Sequence, residues 1–287
     1  MSAERPDARR DPARLVTGQY RDDANLRARL ALHEHFGAGP PWHPWVFAKL
    51  PAREGLDVLE LGCGPARFWE ANSEAVPAGW NVTLTDVSPG MLTVARAAME
   101  AAGLEARVLQ LEATELERDG RFADGAFDVV LANHMLYHVP DIDAALRGIR
   151  RVLRDGGRFF AATNGMHHME ELKRLAIEEL PPGTVEPERL AFDLENGEAR
   201  LRAHFGSLRL HRNADVLRVT DPDAVVAYVA SMAGVAGVPS SELAPDLARA
   251  LETVAARVHT VLAERGAFEV HRVTGLFEAW RGVLPRE

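Results

Sequence analysis

The stretch Val58-Leu59-Glu60-Leu61-Gly62-Cys63-Gly64-Pro65 constrains the fold of this chain more than any other. It reads as a short apolar strand ending in an acid, then a glycine turn, then a helix start. Gly62 and Gly64 carry no side chain, so a ligand can come close to the backbone there. Pro65 suits the first turn of a helix, where its missing N–H costs nothing. A strand feeding such a turn is how α/β folds hold nucleotide-like ligands above the sheet. The third glycine of the dinucleotide fingerprint is absent, because Arg67 stands in its place.

The following sequence repeats the same alternation. Trp80 to Asp86 reads as a second strand closing in an acid, at the separation expected of a ribose-binding carboxylate. Ser88 is placed as N-cap and Pro89 as first residue of a helix that stops at Gly103. Arg107 to Leu111 is a third strand and Phe127 to Asn133 a fourth. From Asp141 to Arg154, apolar residues at Ile142, Ala145, Leu146, Ile149, Val152 and Leu153 keep helical period. Gly156-Gly157 then turns into a fifth strand, Arg158 to Thr163. Strands and helices alternating at this spacing predict a mostly parallel sheet covered on both faces.

These motifs resemble the class I S-adenosylmethionine-dependent methyltransferases, in their small-molecule, type 11-like branch. LELGCGPARF is similar to their first motif, and LTDVSPGML to their second-strand acid and following helix. FDVVLANHMLYHVPDIDAALRGIRRVLRDGGRFFAAT is similar to their fourth strand, next helix and fifth strand. The likeness covers about residues 55 to 165. It implies a Rossmann-like, doubly wound, seven-stranded α/β sheet whose last strand is antiparallel, with a helical cap. It implies S-adenosyl-L-methionine as cofactor. Glu60, Gly62, Cys63 and Gly64 would surround its methionine end, and Asp86 with Val87 its ribose. Met91, Glu112 and Ala113 would lie at its adenine, and Asn133 would line it from the fourth strand. The family often has Asp where Glu112 stands, and Glu117 to Arg121 is an extra charged loop. Tyr20 is a further candidate for the cofactor carboxylate.

Outside this core, residues 1–14 are charged and Pro-containing and read as a flexible tail. Residues 15–50 read as an N-terminal helical cap in which Trp42 and Trp45 are taken as sheet-packing aromatics. The methyltransferase-like domain spans 51–287. Its insertion at 164–206, with helices from Met169 to Leu180 and from about Asn196 to Gly206, is placed to form a lid over the strand ends. Leu208 to Val219, interrupted near Asn213, and Phe268 to Trp280 read as the last two strands, with helices near 222–232 and 241–264 between them.

Composition narrows the function. A net charge of −9 disfavours nucleic acid as a partner. No apolar run resembles a leader or a membrane span, and the single cysteine, Cys63, excludes a disulfide framework and points to a reducing cytoplasm. The expected partner is a small-molecule substrate, and a homodimer is compatible with the sequence.

Methyl transfer from a sulfonium is an in-line displacement in which orientation supplies much of the acceleration. A base is needed only for a hydroxyl, an activated carbon or a protonated amine. His134 is the first candidate, with His167 and His168 after the fifth strand behind it. His134 and His138 are four apart but lack further ligand-like neighbours, so no metal is expected. Three alternatives stay open: a non-methylating reaction on the same fold, such as a cyclisation; an NAD-dependent oxidoreductase; and a non-catalytic binding module.

Overall fold

A computed structural model describes residues 23–37, 39–186 and 189–282. Tyr20 and the tail at 1–14 lie outside the described residues. The chain enters through α1 (Asp23–Phe36) and α2 (Trp42–Phe47). It then alternates: β1 (Asp57–Leu61), α3 (Arg67–Glu70), β2 (Asn81–Asp86), α4 (Pro89–Ala101), β3 (Ala106–Gln110), β4 (Phe127–Asn133), α5 (Ile142–Val152) and β5 (Leu153–Asn164). Beyond β5 come α6 (Glu170–Glu179), α7 (Gly197–Arg202), β6 (Ser207–Val219), α8 (Pro222–Met232), α9 (Pro245–Arg265) and β7 (Phe268–Trp280).

One sheet contains all seven strands in the order β3-β2-β1-β4-β5-β7-β6. The pairs among β1 to β5 are parallel, and β7 runs antiparallel between β5 and β6. This is the predicted seven-stranded α/β sheet with an antiparallel last strand. β1 lies centrally, and Val58 to Leu61 are buried, which explains its unbroken apolar run. Chain order reverses between β1 and β4. Such a switch point opens a crevice beyond the strand ends, and ligands of open α/β sheets bind in it.

Three apolar clusters hold the layers. On one face α5 packs through Ile142, Leu146 and Ile149 onto Leu59, Val130 and Phe159. On the other, Trp69, Leu92, Ala95 and Val46 meet Val58, Val82 and Val129. A third cluster joins α1, α6, α8 and α9 around Leu32, Leu172, Val229 and Val254, against Val219 and Val270 at the far ends of β6 and β7.

Local detail differs from the sequence reading, and the fifth strand already begins at Leu153 rather than Arg158. Asn81, not Trp80, opens β2, because the Trp80 indole turns to donate to the Arg53 carbonyl (2.7 Å). The helix after the glycine turn closes within one turn, where Asn72 Nδ2 donates back to the Phe68 carbonyl (2.6 Å). β6 runs through Asn213 without interruption, since Asn213 pairs with Thr274 and the register continues to Val219.

Candidate active site

A cavity of about 340 Å³ opens at the β1/β4 switch point. The turns after β1, β2, β3 and β4 form its floor. Gly62 (φ +62°) and Gly64 (φ +53°) take the left-handed backbone that favours glycine. Their reasons differ. A Cβ on Gly64 would meet nothing within 4 Å, whereas one on Gly62 would lie 2.8 Å from Met135 Cβ. Asp86 ties two turns together, because its carboxylate accepts from the Gly64 N–H (2.9 Å) and the Ser88 N–H (2.8 Å). Burial raises its pKa, and those amide donors oppose the rise. Ser88 caps α4 by accepting from the Met91 N–H (3.4 Å), as the sequence predicts.

Behind the glycine turn sits Glu60, almost wholly buried. It accepts from Trp69 Nε1 (2.6 Å) and Asn133 Nδ2 (2.8 Å). Desolvation pushes its carboxyl up to about 7, against the pull of those two donors. Asn133 Oδ1 is buried without a hydrogen-bond partner among the described residues. Such an atom on a cavity wall costs free energy until a donor arrives. Val87, Met91, Leu111, Glu112 and Ala113 complete the side beyond Asp86, and the Glu112 carboxylate accepts from Thr114 Oγ1 (2.6 Å). Cys63 lines the cavity, but burial pushes its thiol up, so it stays protonated and packs as a small residue.

The opposite wall comes from α1, α2, α3 and the segment after β4. Leu30, Trp42, His43, Arg67, Phe68, Met135 and the run Tyr137 to Pro140 face the cavity there, with His134 beside them. His134 holds a positive φ of 53°, and its N–H donates to the Ala162 carbonyl (3.1 Å), which fixes the turn. Its ring centroid lies 5.0 Å from that of Trp42. Desolvation lowers the His134 ring to about 4, helped by neighbouring histidines, and lowers His43 to about 4, helped by Arg67. Both rings are therefore neutral at pH 7. Trp42 thus does more than pack on the sheet, although Trp45, stacked on it at 5.3 Å, does pack against the core.

The cavity lining includes Glu60, Gly62, Cys63, Gly64, Asp86, Val87, Met91, Glu112, Ala113, Asn133 and His134. It does not include His167 or His168. His167 is exposed, with Nδ1 2.7 Å from Glu170. His168 stacks on His33 (6.2 Å), and its Nδ1 accepts from the Val273 N–H (3.2 Å). Nor does any described residue of 164–206 line the cavity. The apolar residues of that segment face elsewhere: Phe192, Leu194, Leu201 and Phe205 fill the α5 side of the sheet, and Leu172 and Leu175 fill the four-helix cluster. His43 and Arg67 escaped the sequence reading. The signal for Arg67 was its position in place of the third glycine, and the signal for His43 was its place within Trp42-His43-Pro44-Trp45.

The sheet order, the glycine turn at the switch point and the acid closing β2 define a class I, Rossmann-like methyltransferase fold. Residues 59–161 match the family model described as a methyltransferase domain. The chain thus carries a segment similar to the methyltransferase domain family over residues 59–161. It is 33% identical over 163 residues to the methyltransferase GfsG of Streptomyces halstedii, covering 50% of this chain and 56% of that one. It is 32% identical over 168 residues to a ubiquinone biosynthesis O-methyltransferase of Xanthomonas oryzae pv. oryzae, covering 54% and 66%. The matched part thus spans less than two thirds of either relative. The fold is similar to that of the YcgJ protein of Bacillus subtilis, with a TM-score of 0.55, 16% identity, and 84% and 98% of the two chains covered.

Proposed function

We propose that this protein transfers a methyl group from S-adenosyl-L-methionine to a small organic molecule. The observation that carries the reading is the Asp86 carboxylate, held at the end of β2 beside the open space over Gly64, in the switch-point cavity. The residues suit the cofactor along its length. Asp86 offers a carboxylate to vicinal hydroxyls. Met91, Leu111 and Ala113 offer an apolar slot for a flat base. Glu60 and the unpartnered Asn133 Oδ1 offer acceptors to an ammonium group.

Bound there, S-adenosylmethionine supplies a methyl group already activated on a sulfonium. The chain's own contribution is orientation and exclusion of water. The wall of Trp42, Phe68, Met135 and Tyr137 is apolar enough to strip an acceptor of solvent. His134, neutral at pH 7, accepts a hydrogen bond from the acceptor group and so aims it. His167 and His168 take no part in this reading. Among the described residues, no helix is long and apolar enough to cross a membrane, and the single cysteine supports a cytoplasmic enzyme.

Titration calorimetry with S-adenosylmethionine and with NAD tests the cofactor. Tight binding of the first and not the second is expected, and the reverse order would sink the reading. Release of S-adenosylhomocysteine on incubation with acceptor substrates then separates methyl transfer from a cyclisation on the same fold.

A further inference from the structure

The wall built by α2 and α3 carries polar groups without a hydrogen-bond partner among the described residues. Trp42 Nε1 and His43 Nδ1 are buried without a hydrogen-bond partner among the described residues. Arg67 lines the same cavity and has no hydrogen-bond or ion-pair partner for its guanidinium among the described residues. Elsewhere in this protein arginines that face carboxylates engage them, as Arg154 does with Asp57 (2.6 Å) and Arg147 with Glu117 (3.0 Å). An indole N–H and an imidazole nitrogen buried unpaired beside an apolar cavity are costly to the empty protein, and the partly exposed Arg67 guanidinium next to them is available to an anion.

The acids of the cavity lead to the same assignment. Three carboxylates line it, Glu60, Asp86 and Glu112, and each is engaged. Glu60 accepts from Trp69 and Asn133, Asp86 from two backbone amides, and Glu112 from Thr114. Asp86, Glu112 and Glu60 also belong to the cofactor side. None stands on the wall of Trp42, His43, Arg67 and Phe68, so a cationic amine would find no free counter-charge there. The surrounding side chains, Leu30, Phe68, Met135 and Tyr137, are apolar or aromatic.

We propose that Arg67, His43 and Trp42 form a subsite for an anionic oxygen of the acceptor substrate, which makes that substrate an aromatic or apolar carboxylate rather than an amine. This rests on the methyltransferase reading, with the cofactor seated along Asp86. Arg67 is then a specificity-determining residue. Its planar fork suits a carboxylate, and the Trp42 N–H and a neutral His43 donor add hydrogen bonds from the same wall. The shared chemistry is a carboxylate, which both an acceptor substrate and the cofactor's own methionine end could present.

Three probes of one shape separate the sources: phenylacetate, phenylacetamide and 2-phenylethylamine, titrated into protein saturated with S-adenosylhomocysteine. Phenylacetate is expected to bind at least about tenfold tighter than the other two, the lower end for a hydrogen bond to a charged group. Arg67→Gln should erase that preference while S-adenosylhomocysteine affinity stays within about threefold. Trp42→Phe, which removes only the indole N–H, should weaken phenylacetate about threefold to tenfold. Circular dichroism on each variant confirms the fold. Equal binding of the three probes, or binding of none, overturns the subsite. So does a loss of about tenfold in S-adenosylhomocysteine affinity in Arg67→Gln, which would assign Arg67 to the cofactor's carboxylate. Wild-type protein that fails to bind S-adenosylhomocysteine would overturn the methyltransferase reading and the subsite together, whereas intact cofactor binding without anion preference removes the subsite alone.

Discussion

Asp86 does two things with one carboxylate. It pins the Gly64 and Ser88 amides, and it presents an acid to the proposed cofactor site. From sequence alone, Asp86→Asn would be the milder change, since an amide still accepts one hydrogen bond. The structure makes it severe, because the amide NH₂ must then face one of two backbone donors. Asp86→Ala and Asp86→Asn are both expected to weaken S-adenosylmethionine by about 1.5–3 kcal/mol, read by calorimetry; wild-type affinity in either would remove Asp86 from the site. Gly62→Val is a poor probe of the ligand, because its Cβ meets Met135 before it meets anything bound. Gly64→Val is the better one: the added side chain enters open space, costs about 1–2 kcal/mol of left-handed backbone strain, and should abolish cofactor binding in a folded protein. His134 also sits in the left-handed region, which Asn tolerates better than Ala. His134→Asn is expected to lower turnover about a hundredfold through lost orientation, with cofactor affinity kept. Because burial holds the ring down to about 4, wild-type turnover should show no histidine inflection near pH 6.5. Full activity in the variant, or such an inflection, would defeat the role.

At the scale of elements, the proposed cofactor site depends on a contact outside it. Gly148 lies in the middle of α5, where glycine is normally a cost. A Cβ there would stand 2.7 Å from the Glu117 N and 3.0 Å from the Leu116 carbonyl carbon. The helix can approach the 112–117 segment only because that side chain is missing, and this segment carries Glu112 and Ala113 to the cavity. Gly148→Ala is expected to cost about 1–3 kcal/mol by overpacking and to weaken cofactor binding as the segment is pushed away. Thermal melts and calorimetry read the two effects, and a variant as stable as wild type would show that the segment yields freely. Helix α2 shows the converse case. Too short to be stable alone, it is held by Val46 and its aromatic neighbours against the sheet, and so delivers Trp42 and His43 to the cavity.

For the whole molecule, buried histidines couple stability to pH. Desolvation lowers His33, His43 and His134 to about 4 and His168 well below its ordinary value. The unfolded chain protonates them near 6.5. Between pH 6.5 and 4 the unfolded state therefore binds more protons, so their contribution is complete above 6.5 and is lost as the pH falls toward 4. Glu60 acts the other way. Burial raises it to about 7, so its folded form keeps a proton that the unfolded chain releases near 4.5, and its contribution falls as pH rises from 4.5 to 7. Asp86, also raised by burial, acts in the same sense as Glu60, but four histidines outweigh these two carboxyls, each group contributing at most about 1.4 kcal/mol per pH unit. The melting temperature is expected to drop steadily from pH 7 to pH 5, and a flat or rising profile over that range would show that these rings are not buried neutral.

What the sequence determined by itself was whatever depends on neighbours along the chain. The period-2 and 3.6-residue patterns set the strands and helices, Ser88-Pro89 set a helix start, and Gly62-x-Gly64 with Asp86 set one side of the cavity, because a turn and the strand feeding it are local. What covers the strand ends was a tertiary decision. The 164–206 segment had the right position for a lid, but Phe192, Leu194 and Phe205 gain more by filling the α5 side of the sheet, and Leu172 and Leu175 by joining α1, α8 and α9. The space they leave falls to α2 and α3, which bring Trp42, His43 and Arg67 against His134 from more than sixty residues away in sequence. Burial then sets the protonation of His134 and Glu60. Periodicity does not encode that property, because it depends on which distant surfaces exclude water from a site.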